Sequence, residues 1–511
     1  MSMFYKGASF PPEEHQNRLR RYAENKKLFL GEHYDVFKRV QNRLSGSQKE
    51  LVYLSVNLAG IIVKKSADFL FGDSPIYTAG KEDDSEEQKA IERYVKNNHL
   101  NIKNYQSALG NGYRGDSFYK VRYAQQYEGA LPSSIDPYKV VIENQDASYV
   151  FPETMAGNIN AIKCYHIAYP IHVHNSDGNE YILQVESHYA GVIEYSQFRM
   201  NPTITNVDGS IAEYRIYAEI EAGRKTVTTG VPIPLVVHIP NYTTDDSWQG
   251  IDDLTEHLPI FDEINNRLSK ISEILDKHAD PAIMVPSGTL GEDENGNPTF
   301  VVGRDKVFEI MGKDDTKVEY VTWNGQLQAG FEELKMIVKL LLQTAEIPEV
   351  ALGGGESGTS GSSGLAIKFR MNSLLAKINR KRQFYDKGLK EVLTIAQLLE
   401  KSRSASTPKF ELFEPIIHFK DGLPKDDTEQ ANVYALLTGS GILSKKTALM
   451  ELKNLTEEQA DKELKRISEE ADAQAERDAT SPSIFNDEEE VEIDVSPETE
   501  GDGKDNRTKG A

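Results

Sequence analysis

The run Gly353-Gly354-Gly355-Glu356-Ser357-Gly358-Thr359-Ser360-Gly361-Ser362-Ser363-Gly364 is the stretch most suggestive of chemistry. Glycine backbone ahead of a helix N-terminus can cradle phosphate. A P-loop also needs a Lys and a Ser or Thr at the helix start; Leu365-Ala366 stand there instead, and no apolar strand precedes the run. The run therefore reads as a mobile loop, used for contact with something that moves past it. The helix expected after it carries Lys368, Arg370, Lys377, Arg380, Lys381, Arg382, Lys387 and Lys390. That basic face suits phosphate, but a solvated face or ion pairs to acidic neighbouring subunits are the favoured readings. His172 and His174 are two apart on a β segment, without identifiable metal partners, and read as exposed polar residues. Cys164 is the only cysteine, so no intrachain disulfide and no four-cysteine zinc site can form, and it reads as a small core residue. Residues 430–452 have the outline of a helix-turn-helix but no basic recognition helix. No serine–histidine–acid or paired-carboxylate arrangement follows from spacing, and no metal or cofactor is expected.

These residues are carried by a recognisable series of elements. Phe261, Ile264, Leu268, Ile271 and Leu275 put one apolar stripe on a helix. Pro259 suits its first turn and Asp280-Pro281 stops it. Leu327, Phe331, Leu334, Val338 and Leu341 repeat the rhythm in a return helix. Between the two, residues 279–325 switch to short strand candidates, 282–285, 299–302, 306–309 and 318–321. A third helix opens at Leu365 with Ile367, Met371, Leu374 and Ile378 on one face.

Earlier in the chain, residues 13–31 read as a polar helix and 51–71 as a helix with an apolar face. Residues 80–94 read as acidic and exposed. A short helix at 101–109 precedes the turn-like Gly110-Asn111-Gly112-Tyr113-Arg114-Gly115. From 135 to 240 the texture is β, with runs rich in Val, Ile and Tyr between Asn, Asp and Gly turns. Past the third helix, 410–419 reads as one more strand and 426–478 as helical, Ser444 capping one helix. From Thr480 the composition predicts a disordered acidic tail.

Eighty Asp and Glu against 58 Lys and Arg give a net charge of −22. A surface of that sign repels polyanions, which argues against tight duplex binding by the whole surface and leaves only a local patch open to it. Met1-Ser2-Met3-Phe4-Tyr5 lacks the basic-then-apolar pattern of a signal peptide, and no stretch is apolar enough over enough length to span a bilayer.

The order of parts, with Ser66-Ala67-Asp68-Phe69-Leu70-Phe71-Gly72, Gly115-Asp116-Ser117-Phe118-Tyr119-Lys120-Val121, Ile135-Asp136-Pro137, Val237-His238-Ile239-Pro240-Asn241, Gly250-Ile251 and Asn265-Asn266-Arg267-Leu268-Ser269, resembles the portal proteins of tailed bacteriophages. The likeness is nearest to the family from long-tailed phages of Gram-positive hosts and covers about residues 1–478. The resemblance implies an α+β multidomain subunit: an α+β wing (1–250 and 364–425), a two-helix stem (251–278 and 326–346), and a small α/β clip (279–325). A tunnel loop (347–363), a helical crown (426–478) and an acidic tail (479–511) complete it.

It further implies a ring, typically of twelve subunits, at one capsid vertex of the virion, assembled in the host cytoplasm. Double-stranded DNA would be pumped through it by the large terminase subunit and would leave by the same channel. Other partners would be head-completion adaptor proteins and the capsid and scaffolding proteins, with no membrane and no catalysis. The residues Gly353, Gly354, Gly355, Glu356, Ser357, Gly358, Thr359 and Ser360 would then line the channel as the tunnel loop. Lys270, Lys277, Lys335 and Lys339 would supply weak phosphate contacts from the stem. Two competing classes remain: a nucleotide-binding enzyme built on the Gly/Ser loop, and a DNA-recognition protein using the C-terminal helices.

Overall fold

The computed structural model describes residues 3–41, 53–279, 327–354, 364–404, 408–420, 422, 427–453 and 457–480, apart from 128, 176–177 and 206–210, with four two-residue strands between 283 and 320. The chain divides into two compact units, Met1–Pro424 and Lys425–Ala511.

The first unit opens with β1 (Ser9–Phe10) and α1 (Glu13–Leu30). α1 is polar in composition, yet it turns His15, Arg18, Tyr22, Asn25 and Leu28 inward. Arg18 is satisfied there by the carbonyls of Ala147 (3.2 Å) and Val150 (2.8 Å) and lies over the rings of Tyr22, Phe151 and Trp248. A buried guanidinium is tolerated only with such partners. α2 (His33–Gln41) and α3 (Leu58–Phe71) follow, α3 capped by Asn57, which accepts from the Gly60 amide at 2.8 Å. After β2 (Ile76–Thr78) comes α4 (Glu86–Asn97). This corrects the expectation of an exposed acidic stretch: Glu87, Gln88, Ala90, Ile91 and Tyr94 are buried, Glu87 paired with Lys81 at 3.1 Å. α5 runs through Leu100–Arg114, past the glycines expected to punctuate it. A Cβ at Gly112 would stand 2.9 Å from Val63 Cγ1, so glycine serves here to bring α5 against α3. Gly115, at φ +90°, ends the helix in the left-handed conformation.

Nine strands fill the next stretch: β3 (Asp116–Ala124), β4 (Lys139–Gln145), β5 (Val150–Met155), β6 (Asn158–Asn175), β7 (Gly178–Tyr189), β8 (Val192–Thr205), β9 (Ile211–Glu219), β10 (Lys225–Thr228) and β11 (Val236–Pro240). An antiparallel sheet runs β1-β9-β8-β7-β6-β5, with β10 on β8, and a second runs β11-β3-β4. β5 and β10 did not stand out in the sequence. Cys164 is buried on β6, as a core residue.

α6 (Leu258–Ala279) and α7 (Leu327–Thr344) flank, along the chain, the short strands β12 (Ile283–Met284), β13 (Gly291–Glu292), β14 (Pro298–Thr299) and β15 (Glu319–Tyr320), paired β12–β15 and β13–β14. Gly291–Glu292 is thus a strand outside the four candidates, and the candidate at 306–309 lies outside the described residues. The third helix is two segments, α8 (Gly364–Arg370) and α9 (Asn372–Arg403), broken at Met371. α9 crosses the β11-β3-β4 sheet. Tyr385, Leu389, Val392 and Leu393 are buried with Tyr119, Val121, Val237 and Ile239, each side chain worth about 1.5–3 kcal/mol on burial. The strand expected over 410–419 shrinks to β16 (Ile416–His418), paired with β2.

In the second unit, α10 (Asp427–Gly439), α11 (Lys445–Lys453) and α12 (Glu457–Thr480) follow one another. Ser444 caps α11 by accepting from the Thr447 amide at 3.1 Å, as its position predicts.

Candidate functional site

α6 and α7 form an antiparallel hairpin. Thr344 Oγ1 reaches His257 beside the start of α6 at 3.5 Å, and Arg267 bonds Glu333 at 3.2 Å further along. The apolar stripes read from the sequence meet in part: Phe261 and Ile264 share one core with Leu334, Val338, Leu341 and Leu342, while Leu275 and Phe331 of the same stripes are exposed. An adjacent face of α6 is held by residues 53–56. Asn265 Oδ1 accepts from the Val56 amide (3.1 Å) and Ser269 Oγ from the Leu54 amide (2.8 Å), while Tyr53 donates to Asp262 (3.1 Å). This gives the stretch Asn265–Ser269 a physical role: its polar side chains replace the missing strand partner of a passing segment.

The hairpin is rooted in a buried charge cluster. Asp252 accepts from the amides of Leu254 (2.9 Å) and Thr255 (2.6 Å), capping the turn that leads into α6. The next residue, Asp253, is 3% exposed and takes Lys381 Nζ at 2.5 Å, Lys377 Nζ at 3.3 Å and Asn241 Nδ2 at 3.2 Å. Lys377 also donates to the Ala345 carbonyl at 3.1 Å, at the C-terminal end of α7, where a cation suits the helix dipole. One ammonium therefore ties the end of α7 to the approach to α6, both to α9. At Lys377 and Lys381 this corrects the reading of the basic helix as a solvated or intersubunit face. Lys377 and Lys381 are buried within the chain, Arg380 pairs with Glu346, and Lys368, Arg370 and Lys387 stay exposed.

Two cations face one carboxylate in this cluster. Burial works to raise the Asp253 pKa, but Lys377, Lys381 and Asn241 outweigh it and hold the carboxyl at about 2. Lys381 moves against the pair: burial, with Lys377 beside it, lowers its ammonium to about 8 despite Asp253. The two shifts are compatible because the excess positive charge falls on the lysines, which lose hydration without a carboxylate each.

α7 ends in a Schellman turn. The Ile347 amide bonds Leu342 O (2.8 Å) and the Glu346 amide bonds Gln343 O (3.2 Å), with Glu346 at φ +60°. Ile347 is buried against Leu342, and a short turn, Glu349–Leu352, leads to Gly353, left-handed at φ +76°. Of the loop residues singled out, Gly353 and Gly354 are placed here; Gly355, Glu356, Ser357, Gly358, Thr359 and Ser360 lie outside the described residues. Lys335 and Lys339 are exposed one turn apart on α7, beside the exposed Met336 and Leu340. Lys270 is exposed on α6, and Lys277 lies in its last turn with its side chain outside the description. The structure thus brings Lys335 and Lys339 together. It also puts Lys377 and Lys381 at the root, although nothing in their spacing separates them from their exposed neighbours.

Among the described residues no His, Cys, Asp and Glu group is placed to hold a metal ion, and no helix is long and apolar enough to cross a membrane. His172 and His174 sit with ring centroids 4.3 Å apart, both exposed. Burial pushes the Cys164 thiol up to about 12, leaving it a poor nucleophile.

The buried histidines make the fold acid-sensitive. Burial lowers His15 to about 3 and also lowers His33, His166, His188 and His257. Folded values below the unfolded 6.5 mean that the unfolded chain takes up protons first as pH falls. Their stabilisation is complete above 6.5 and is lost from there down toward the folded values. At pH 5 the loss from His15 alone is about 2 kcal/mol. Urea unfolding at about pH 7.5 and about pH 5 checks this; equal midpoints would contradict it.

No curated protein matches the chain. A family model described as phage portal protein, SPP1 Gp6-like, matches residues 10–477, which takes in most of the first unit, part of the second, the hairpin and its root. The chain belongs to the phage portal protein family.

Proposed function

We propose that copies of this chain close into a ring of about a dozen subunits at one capsid vertex, with the α6–α7 hairpin as the stem of a DNA channel. The observation that carries this reading is the hairpin itself: one side anchored through Asp253, Asn265 and Ser269, the other presenting Lys335, Met336, Lys339 and Leu340 outward. Residues 1–250 and 364–425 would be the wing, 251–278 and 326–346 the stem, 279–325 the clip, 347–363 the tunnel loop, and 426–478 the crown before a tail at 479–511. The large terminase subunit would dock at the clip during packaging and a head-completion adaptor would replace it. Capsid and scaffolding proteins would surround the ring.

The acidic balance suits a conduit. Duplex carries a charge every ~1.7 Å, and grip grows with each phosphate neutralised, so a wall that must release DNA keeps few cations. Lys270, Lys277, Lys335 and Lys339 would be those few. A photo-crosslinker placed at Lys339 is expected to capture DNA in filled heads, whereas one at the exposed Lys225 of β10 is not. Equal capture at both positions would reject the stem as the channel wall.

A further inference from the structure

The loop between β3 and β4, residues 125–138, gathers apolar side chains at the surface. Tyr127 is 57% exposed, Ile135 69% and Tyr138 61%, and Leu131 is exposed beside them. Single exposed apolar residues are ordinary, but several on one short loop form a patch. The loop is braced from within. Asp136 is buried and accepts from the Gln126 amide at 3.1 Å through one oxygen and from the Tyr127 amide at 2.8 Å through the other. Its carbonyl accepts from Gln125 Nε2 at 2.8 Å, and the Ile135 and Asp136 amides both bond Pro132 O. The Tyr138 ring lies along that of Tyr123 on β3, with centroids 6.4 Å apart. Ile135 is thus held outward in a fixed shape, which lowers the entropy cost of docking.

The patch also presents little charge. Besides Glu128, which lies outside the described residues, Asp136 is the one charged residue from 125 to 138, and it is spent inside the loop. Lys139, next along, is turned to Gln126 Oε1 at 2.9 Å. By contrast, the exposed Met336 and Leu340 stand beside Lys335 and Lys339, and the exposed Phe369 between Lys368 and Arg370. Copies that each carry −22 repel one another, so they meet at least cost where exposed charge is missing. The loop meets that condition and adds apolar area to offset the remaining repulsion.

We propose that this loop is a docking surface for a second copy of the chain, with Ile135 and Tyr138 at the centre of the contact. The proposal rests on the ring reading given above. A closed ring uses head-to-tail interfaces, so each copy offers its loop to one neighbour and receives the other neighbour's loop on a different surface. The test uses the full-length chain. A photo-crosslinker placed at Ile135 is expected to link assembled copies into a ladder of multimers, whereas one at the exposed Lys225 of β10 is not. Ile135→Asp, at an exposed position, is expected to melt as the parent does and to raise the concentration needed for half-assembly about tenfold or more. If the parent assembles but position 135 yields no ladder, or Ile135→Asp assembles as readily, this proposal is overturned and the ring reading stands. Equal ladders from the two positions, or capture of a capsid or scaffolding protein in place of a second copy, overturn it as well. A parent that never assembles overturns both.

Discussion

Asp253→Leu is expected to lower stability by about 3–5 kcal/mol, whereas Lys381→Met is expected to cost about 1 kcal/mol or less. The difference follows from the two-to-one charge balance at the root of the hairpin. Removing Asp253 leaves Lys377 and Lys381 buried without a carboxylate, and Asn241 cannot replace it. Removing Lys381 leaves Asp253 still paired with Lys377 at 3.3 Å and bonded by Asn241, and relieves a lysine whose ammonium burial already disfavours. The apolar Met stem refills the volume. Urea midpoints of the two variants check the order, and a Lys381→Met loss equal to that of Asp253→Leu would contradict it. The same cluster fixes the end of α7 through the Ala345 carbonyl, so Asp253→Leu should also raise amide exchange over Leu341–Ile347.

Replacing residues 355–363 with a short glycine bridge is expected to leave the assembly mass unchanged and to lower the yield of DNA-filled heads about tenfold or more. Both flanks are independently secured. Upstream, the Schellman turn and the Gly354 amide, bonded to Glu349 O at 3.0 Å, finish before the excised run. Downstream, Met371, Leu374 and Ile378 seat the start of α9 in the core. Shortening a loop between anchored ends changes closure entropy by well under about 1 kcal/mol per halving, so folding should survive. Packaging would suffer because the loop is the proposed contact with moving DNA. Loss of assembly would reject that role, and full packaging would make the run dispensable.

The hairpin was legible because its apolar residues fall at steps of three and four, although Leu275 and Phe331 of those stripes end up exposed. Phe261, Ile264, Leu334 and Val338 are where that spacing puts them. Its root was not. Lys377 and Lys381 share a helix with Arg380, Arg382 and Lys387, and only a carboxylate 128 positions away from Lys381 distinguishes the buried pair. α1 was legible as a polar helix, but the burial of Arg18 was not, since it depends on the Ala147 and Val150 carbonyls far along the chain. α5 was cut short because Gly110 and Gly112 resemble turn residues, when Gly112 in fact makes room for Val63.

The most direct test of the portal account is the mass of the purified full-length chain in solution, read by native mass spectrometry with imaging of the same sample. One chain weighs 57.3 kDa. A closed particle of about a dozen copies with a central hole is the predicted result. A population that stays monomeric at assembly concentrations, with or without its capsid and scaffolding partners, would contradict it.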